Sequence, residues 1–203
     1  MPLRQSFDES GLSHVQLIEK EETVSTSTDC KDMIRAHSPT HPVLILAHTQ
    51  TGGRGRQGKS FSSPRGGLYM SLALRTETEL TQTVRVTSAA AVAVCRAIRT
   101  VCGLACEIKW VNDIYKNGNK LCGILTEAIN DYTRGTTKYL IIGVGVNLTE
   151  HPTEINATDL FAETGQAVDR DRLCAEITKE LLAILDQIKG GDFAYMEEYR
   201  RRS

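Results

Sequence analysis

The chain is poor in aromatic surface, with one Trp, four Phe and six Tyr among 203 residues. Single-stranded nucleic acid is held by aromatic platforms along a cationic groove. The formal net charge of −1 supplies no broad basic field either, which argues against a nucleic-acid grip, DNA included. No apolar run is long enough to cross a bilayer, and Met1–Glu9 carries no apolar signal core. A membrane partner is therefore not expected. The six cysteines, Cys30, Cys95, Cys102, Cys106, Cys122 and Cys174, contain no C-x-x-C pair. A disulfide framework is unneeded in a chain with this much ordinary core, so reduced thiols and a cytoplasmic location are expected. The five histidines lack zinc-ligand spacing, and no structural metal is expected. Internal repeats and low-complexity segments are absent. The length suits one domain, 1–203, with its core at about residues 12–190.

What is present is an alternation of strand and helix patterns. Val15–Glu19, Val43–Ala47 and Leu68–Leu74 read as strands. Thr28 or Asp29 can cap a helix reaching about His37. Thr81–Val101 is the clearest helix, with Val84, Val86, Ala90, Ala91, Val94, Ala97 and Ile98 on one face. Three strands follow between Glu107 and Asn147. Thr149–Gln166 reads as a polar loop, Asp169–Lys189 as a second strong helix ended by Gly190-Gly191, and Asp192–Arg202 as a short terminal helix.

The densest chemistry is in Gly53-Arg54-Gly55-Arg56-Gln57-Gly58-Lys59-Ser60, three glycines among three cations. Glycine lets backbone approach a ligand closely, and arginine offers a planar fork to an anion. The run also fits the spacing G-x-x-x-x-G-K-S. A phosphate-binding P-loop must open a helix. Here the loop runs into Phe61-Ser62-Ser63-Pro64-Arg65-Gly66-Gly67, which is turn material. A P-loop is therefore rejected, while an anion-binding loop is kept.

Three further segments join it. Lys109-Trp110-Val111-Asn112-Asp113 ends a strand. Asn117-Gly118 marks a hairpin turn before Lys120-Leu121-Cys122-Gly123-Ile124-Leu125-Thr126-Glu127. Gly143-Val144-Gly145-Val146-Asn147 is a buried strand broken by glycines, a place of close approach or a bulge. Alone, each segment is equally a turn, an edge lysine or a bulge.

Together, in this order, the segments resemble the biotin protein ligases, the family of biotin–[acetyl-CoA-carboxylase] ligases and holocarboxylase synthetases. The family's G-R-G-R-x-G is matched at Gly53–Gly58. Its K-W-P-N-D is matched at Lys109–Asp113, with Val111 for proline, its K-x-x-G-I-L-x-E at Lys120–Glu127, and its G-x-G-x-N at Gly143–Asn147. A Ser-Thr pair is matched by Ser27-Thr28. The resemblance covers roughly residues 12–200. It implies an α+β, mixed α/β fold of the class II aminoacyl-tRNA synthetase-like type, with a central mixed β-sheet flanked by helices. Relatives usually carry a small β domain after the catalytic one, expected here to be absent or truncated after Ser203. An N-terminal DNA-binding domain is not expected.

The same resemblance implies ATP-dependent activation of biotin to biotinyl-5′-AMP. Transfer then follows to a lysine of a biotin carboxyl carrier protein of acetyl-CoA carboxylase or a related carboxylase. Biotin, ATP and Mg2+ are the implied small partners, with the Mg2+ site unassigned, and the protein a monomer or homodimer. Arg56, Lys120 and Asp113 are the implied catalytic residues. Asp113 has three open roles: near magnesium and phosphate, toward the amine, or bracing its turn. Ser27, Thr28, Gln50, Gly53, Arg54, Gly123 and Gly143, with Arg56 and Lys120, are implied for biotin. Asn112, Asn147 and Phe61, with Arg54, Arg56 and Lys120, are implied for ATP. Trp110 reads as a pocket wall or core residue, and Glu127 as a partner for a loop arginine. The loop, short of apolar anchors, is expected to order over its ligand. A lipoate or octanoate ligase of the same superfamily, or a non-catalytic biotin-binding module, are the alternatives.

Overall fold

The computed structural model describes residues 2–153 and 156–203, and the backbone alone for 78–84; Val84, expected on a helix face, lies outside the described side chains. The elements are α1 (Leu3–Glu9), β1 (Gln16–Thr23), α2 (Thr26–His37), β2 (Val43–Gln50), β3 (Gly67–Glu79), α3 (Leu80–Cys102), β4 (Glu107–Lys109), β5 (Asp113–Lys116), β6 (Asn119–Asp131), β7 (Thr136–Asn147), α4 (Leu160–Thr164), α5 (Arg170–Lys189) and α6 (Tyr195–Arg202). A single seven-stranded sheet runs β1-β2-β3-β7-β6-β5-β4. Only β1 and β2 pair in parallel; every other neighbour is antiparallel, so the sheet is mixed as expected.

Strand alternation divides the core in two. On β2, Leu44 and Leu46 join the large cluster under α3, α5, α1 and α6, while Val43 and Ile45 join a small cluster under α2. On β7, Leu140, Ile142, Val144 and Val146 face the large cluster. The opposite face of β7 begins apolar with Tyr139 and Ile141. By alternation it continues through Gly143 and Gly145, which have no side chain to pack. The apolar cover on the α2 face therefore stops where the glycines begin, and a cavity opens there.

Helix termini follow local chemistry. Asp169 caps α5 by accepting from the backbone N–H groups of Asp171 and Arg172. Asp159 caps α4 by accepting from Ala162 N. The loop expected over Thr149–Gln166 thus contains one helical turn. Residues 154 and 155 of it lie outside the described residues. Helix α1, unexpected from sequence, buries Leu3 and Phe7. Helix α2 begins three to four residues earlier than expected. Ser25 is its N-cap, and Gln50 Oε1, reaching from β2, accepts from Thr26 N at 2.9 Å. No helix among the described residues is long and apolar enough to cross a membrane, and all six cysteines are free.

Candidate active site

A cavity of 280 Å³ lies on the α2 face of the sheet. Its floor is Gly123 and Gly145, which face each other across β6 and β7. Ser25, Thr26, Ser27 and Gln50 form one wall, and Trp110, Asn112, Asp113 and Lys120 the other. The loop from Arg54 to Phe61 closes the top. Gly143 also lines it.

Three of the cations at the cavity, Lys120, Arg56 and Arg54, rest on oxygen partners. Lys120 Nζ lies 2.9 Å from Asp113 Oδ1, across the β5–β6 hairpin. Arg56 Nη1 donates to Asn112 Oδ1 at 2.9 Å. Arg54 Nη2 lies 3.4 Å from Glu127 Oε1. Asn112 is itself fixed, its Nδ2 donating to Ile124 O at 2.8 Å and to Asp113 Oδ1 at 3.1 Å. Glu127 also accepts from Lys31 Nζ at 2.7 Å and from the Ser27 hydroxyl. Burial pushes the Glu127 carboxyl up, but the hydrogen bonds and charges of Lys31, Ser27 and Arg54 outweigh it and hold it below the usual range.

The loop has structure of its own. Arg54 bridges Ser60 in antiparallel fashion, Gly55 N donates to Lys59 O at 2.7 Å, and Phe61 N donates to Gly53 O at 2.9 Å. A Cβ on Gly53 would lie 2.2 Å from Phe61 O, so the loop's own closure demands glycine there. The Phe61 ring lies on the glycine floor: a Cβ at Gly145 would come within 2.4 Å of it, and one at Gly123 within 2.7 Å. Its edge meets Tyr69 at a centroid distance of 6.4 Å. Lys120 Nζ stands 5.8 Å from its centroid.

The Biotin/lipoate A/B protein ligase family model matches residues 20–147. The chain belongs to that family. Over 153 residues it is 37% identical to the bifunctional ligase/repressor BirA of Bacillus subtilis, covering 72% of this chain and 46% of that protein. It therefore spans about half the length of that relative. Over 208 residues it is 29% identical to the biotin–[acetyl-CoA-carboxylase] ligase of Mycobacterium tuberculosis, covering 99% of this chain and 76% of that one. The biotin protein ligase of Aquifex aeolicus, solved in complex with biotin and ATP, superposes with a TM-score of 0.71 at 29% identity, covering 87% of this chain and 73% of that one. That of Leishmania major, solved with biotinyl-5-AMP, gives 0.75 at 26% identity, covering 92% and 81%.

For a biotin/lipoate ligase family member, the residues singled out from sequence fall into two groups. Arg54, Arg56, Lys120, Asp113, Asn112, Phe61, Ser27, Gln50, Gly123 and Gly143 line the one cavity. Thr28, Gly53 and Asn147 are not in its lining. The hydroxyls at the wall are those of Ser25, Thr26 and Ser27, because α2 starts at Thr26, and Thr28 lies outside the lining. Asn147 instead ties strands together, its Nδ2 donating to Thr158 O at 2.9 Å and Lys120 O at 3.4 Å. Gln50 is engaged at both ends, with Thr26 and with Ser63 Oγ at 2.8 Å. Trp110 is a wall residue, 79% exposed and edge-on to Tyr199. Tyr199 OH donates to Val111 O at 3.2 Å, so α6 braces the turn that carries Asn112 and Asp113. Cys122 is fully buried beside the floor, and burial pushes its thiol far above the ordinary value, which makes it a packing group.

Proposed function

We propose that this chain activates biotin with ATP as biotinyl-5′-AMP and passes the biotinyl group to a lysine of a biotin carboxyl carrier protein domain. The observation that carries the reading is the convergence of Lys120, Arg54 and Arg56 on one glycine-floored cavity. Each is held by an oxygen that an incoming anion can replace. Two anions must meet in the first step, and cations placed in advance remove their repulsion. The biotin–ATP and biotinyl-5-AMP complexes of the superposing ligases support the assignment of those anions.

In the first step a biotin carboxylate oxygen bonds to the α-phosphorus, and the bond to the leaving pyrophosphate breaks. Lys120 moves from Asp113 to the carboxylate and α-phosphate, while Arg54 and Arg56 close over the phosphate. Magnesium arrives as part of the nucleotide substrate. Asp113, released by Lys120, then faces the incoming lysine amine. The amine nitrogen attacks the acyl carbon, AMP leaves with the bonding pair, and the amine proton passes to Asp113 and on to water. Ser25, Thr26 and Ser27 offer hydroxyls to the ureido group, and Gly143 leaves room beside them.

The test supplies Mg-ATP with biotin, lipoate or octanoate, reads pyrophosphate release and identifies the acyl-adenylate by mass spectrometry. A carrier domain is then added. The expected result is an adenylate from biotin alone, transfer to the carrier, and loss of both in Lys120→Ala. An adenylate from lipoate or octanoate instead of biotin would overturn the substrate assignment.

A further inference from the structure

Glu127 sits where three elements meet. Its Oε1 lies 2.7 Å from Lys31 Nζ on α2 and 3.4 Å from Arg54 Nη2 on the loop, and its Oε2 takes the Ser27 hydroxyl. The carboxylate and Lys31 are largely withdrawn from water, with side chains 18% and 23% exposed, whereas Arg54 is 46% exposed. Two cations therefore share one oxygen unequally: Lys31 at hydrogen-bond distance, Arg54 beyond close contact. A withdrawn carboxylate with a single cationic partner holds that partner hard, because departure leaves a charge unpaired. With two partners, it can release one.

We propose that Lys31 is a positioning residue for the loop: it keeps Glu127 neutralised, so that Arg54 is free to leave for the substrate anion. This rests on the reading of the cavity as the place where a carboxylate meets a phosphate. Lys31 is not in the cavity lining and acts through Glu127 and Arg54.

The experiment compares Lys31→Met, Lys31→Arg, Glu127→Gln and the double variant K31M/E127Q in biotin adenylation, with thermal melts to confirm folding. In K31M, Arg54 is the only loop or helix cation left on Glu127 and is pinned. kcat/KM falls about tenfold, within the range for residues sharing one ion-pair network. K31R retains most of the rate. In K31M/E127Q no carboxylate remains to pin Arg54, and the rate returns to that of E127Q alone. A double variant as slow as K31M, or a K31M as fast as the parent, overturns the proposal. A second readout needs no substrate: tryptic cleavage after Arg54 slows in K31M and recovers in the double variant. Cleavage unchanged in K31M overturns the proposal equally. If the parent made no adenylate from biotin, the proposed reaction would fail, and the cleavage series would still decide the role of Lys31.

Discussion

The two halves of the cavity are built on opposite plans. Lys120 and Asp113 stand on adjacent strands of one hairpin, their separation set by the backbone ladder of β5 and β6. Arg54 and Arg56 stand on a loop with three glycines, and their positions depend on side-chain partners 73 and 56 residues away, at Glu127 and Asn112. A fixed cation can be aimed before any ligand arrives. A loop cation can be withdrawn to admit a ligand and returned to cover it. A site that joins two anions and shields a reactive anhydride, as proposed for this one, needs both kinds.

The sharpest way to break this comparison is to remove the fixed cation. Lys120→Ala should cost about 3–4 kcal/mol in the adenylation transition state, read as pyrophosphate release under single-turnover conditions. A smaller loss than from either loop arginine would place the preorganised charge on the loop instead. Away from the cavity, Leu181→Ala on the buried face of α5, fully buried, should cost about 3 kcal/mol of stability by denaturant titration. Its kcat should stay near the parent's, which separates the packed layer from the reacting one. Arg56→Ala should cost about 2 kcal/mol. Unlike the Lys120 variant, it should release the adenylate faster, measured by dissociation of preformed intermediate. Gly145→Ala drives a methyl into the Phe61 ring and should cost about 1–2 kcal/mol of stability. Adding Phe61→Ala should recover it, and no recovery would mean that the floor, not the ring, needs the glycine.

The smallest effect concerns pH. The Glu127 carboxyl is held below its usual range in the fold, so its contribution to stability is present above that range and lost as pH falls through the folded value. Desolvation of the carboxylate offsets most of what its partners contribute, so the net contribution is under about 1 kcal/mol. Glu127→Gln should flatten the acid limb of melting temperature against pH by that amount. An unchanged acid limb would show that Lys31 and Arg54 do not discriminate the two protonation states.

Most of this architecture was legible from residue order. Period-two alternation and glycine placement marked β6 and β7, and the Lys120–Glu127 spacing put a cation and a carboxylate at two ends of one strand. The sequence Val24-Ser25-Thr26-Ser27-Thr28 defeated the same reasoning. The cap was expected at Thr28 or Asp29, but β1 pairs with β2 out to Thr23 and Gln50, and the helix follows at once with Ser25 as its cap. Lys31 had no motif to announce it, since its partner lies 96 residues along the chain. Strand β3 was expected to end at Leu74 because the apolar pattern stops, but pairing with β7 carries it to Glu79. Helix α4 did leave a trace, Asp159 before it and Gly165 after it, too short a signal to weigh against its polar surroundings.

Phe61 lying over Gly123 and Gly145 has a calorimetric consequence. The Phe61 ring already covers part of the glycine floor before any ligand comes. A ligand that takes its place there exchanges one apolar cover for another and releases little ordered water. The heat-capacity change on binding should then be less negative than the ligand's own apolar area suggests. In Phe61→Ala, which lacks that cover, it should become more negative even as affinity falls.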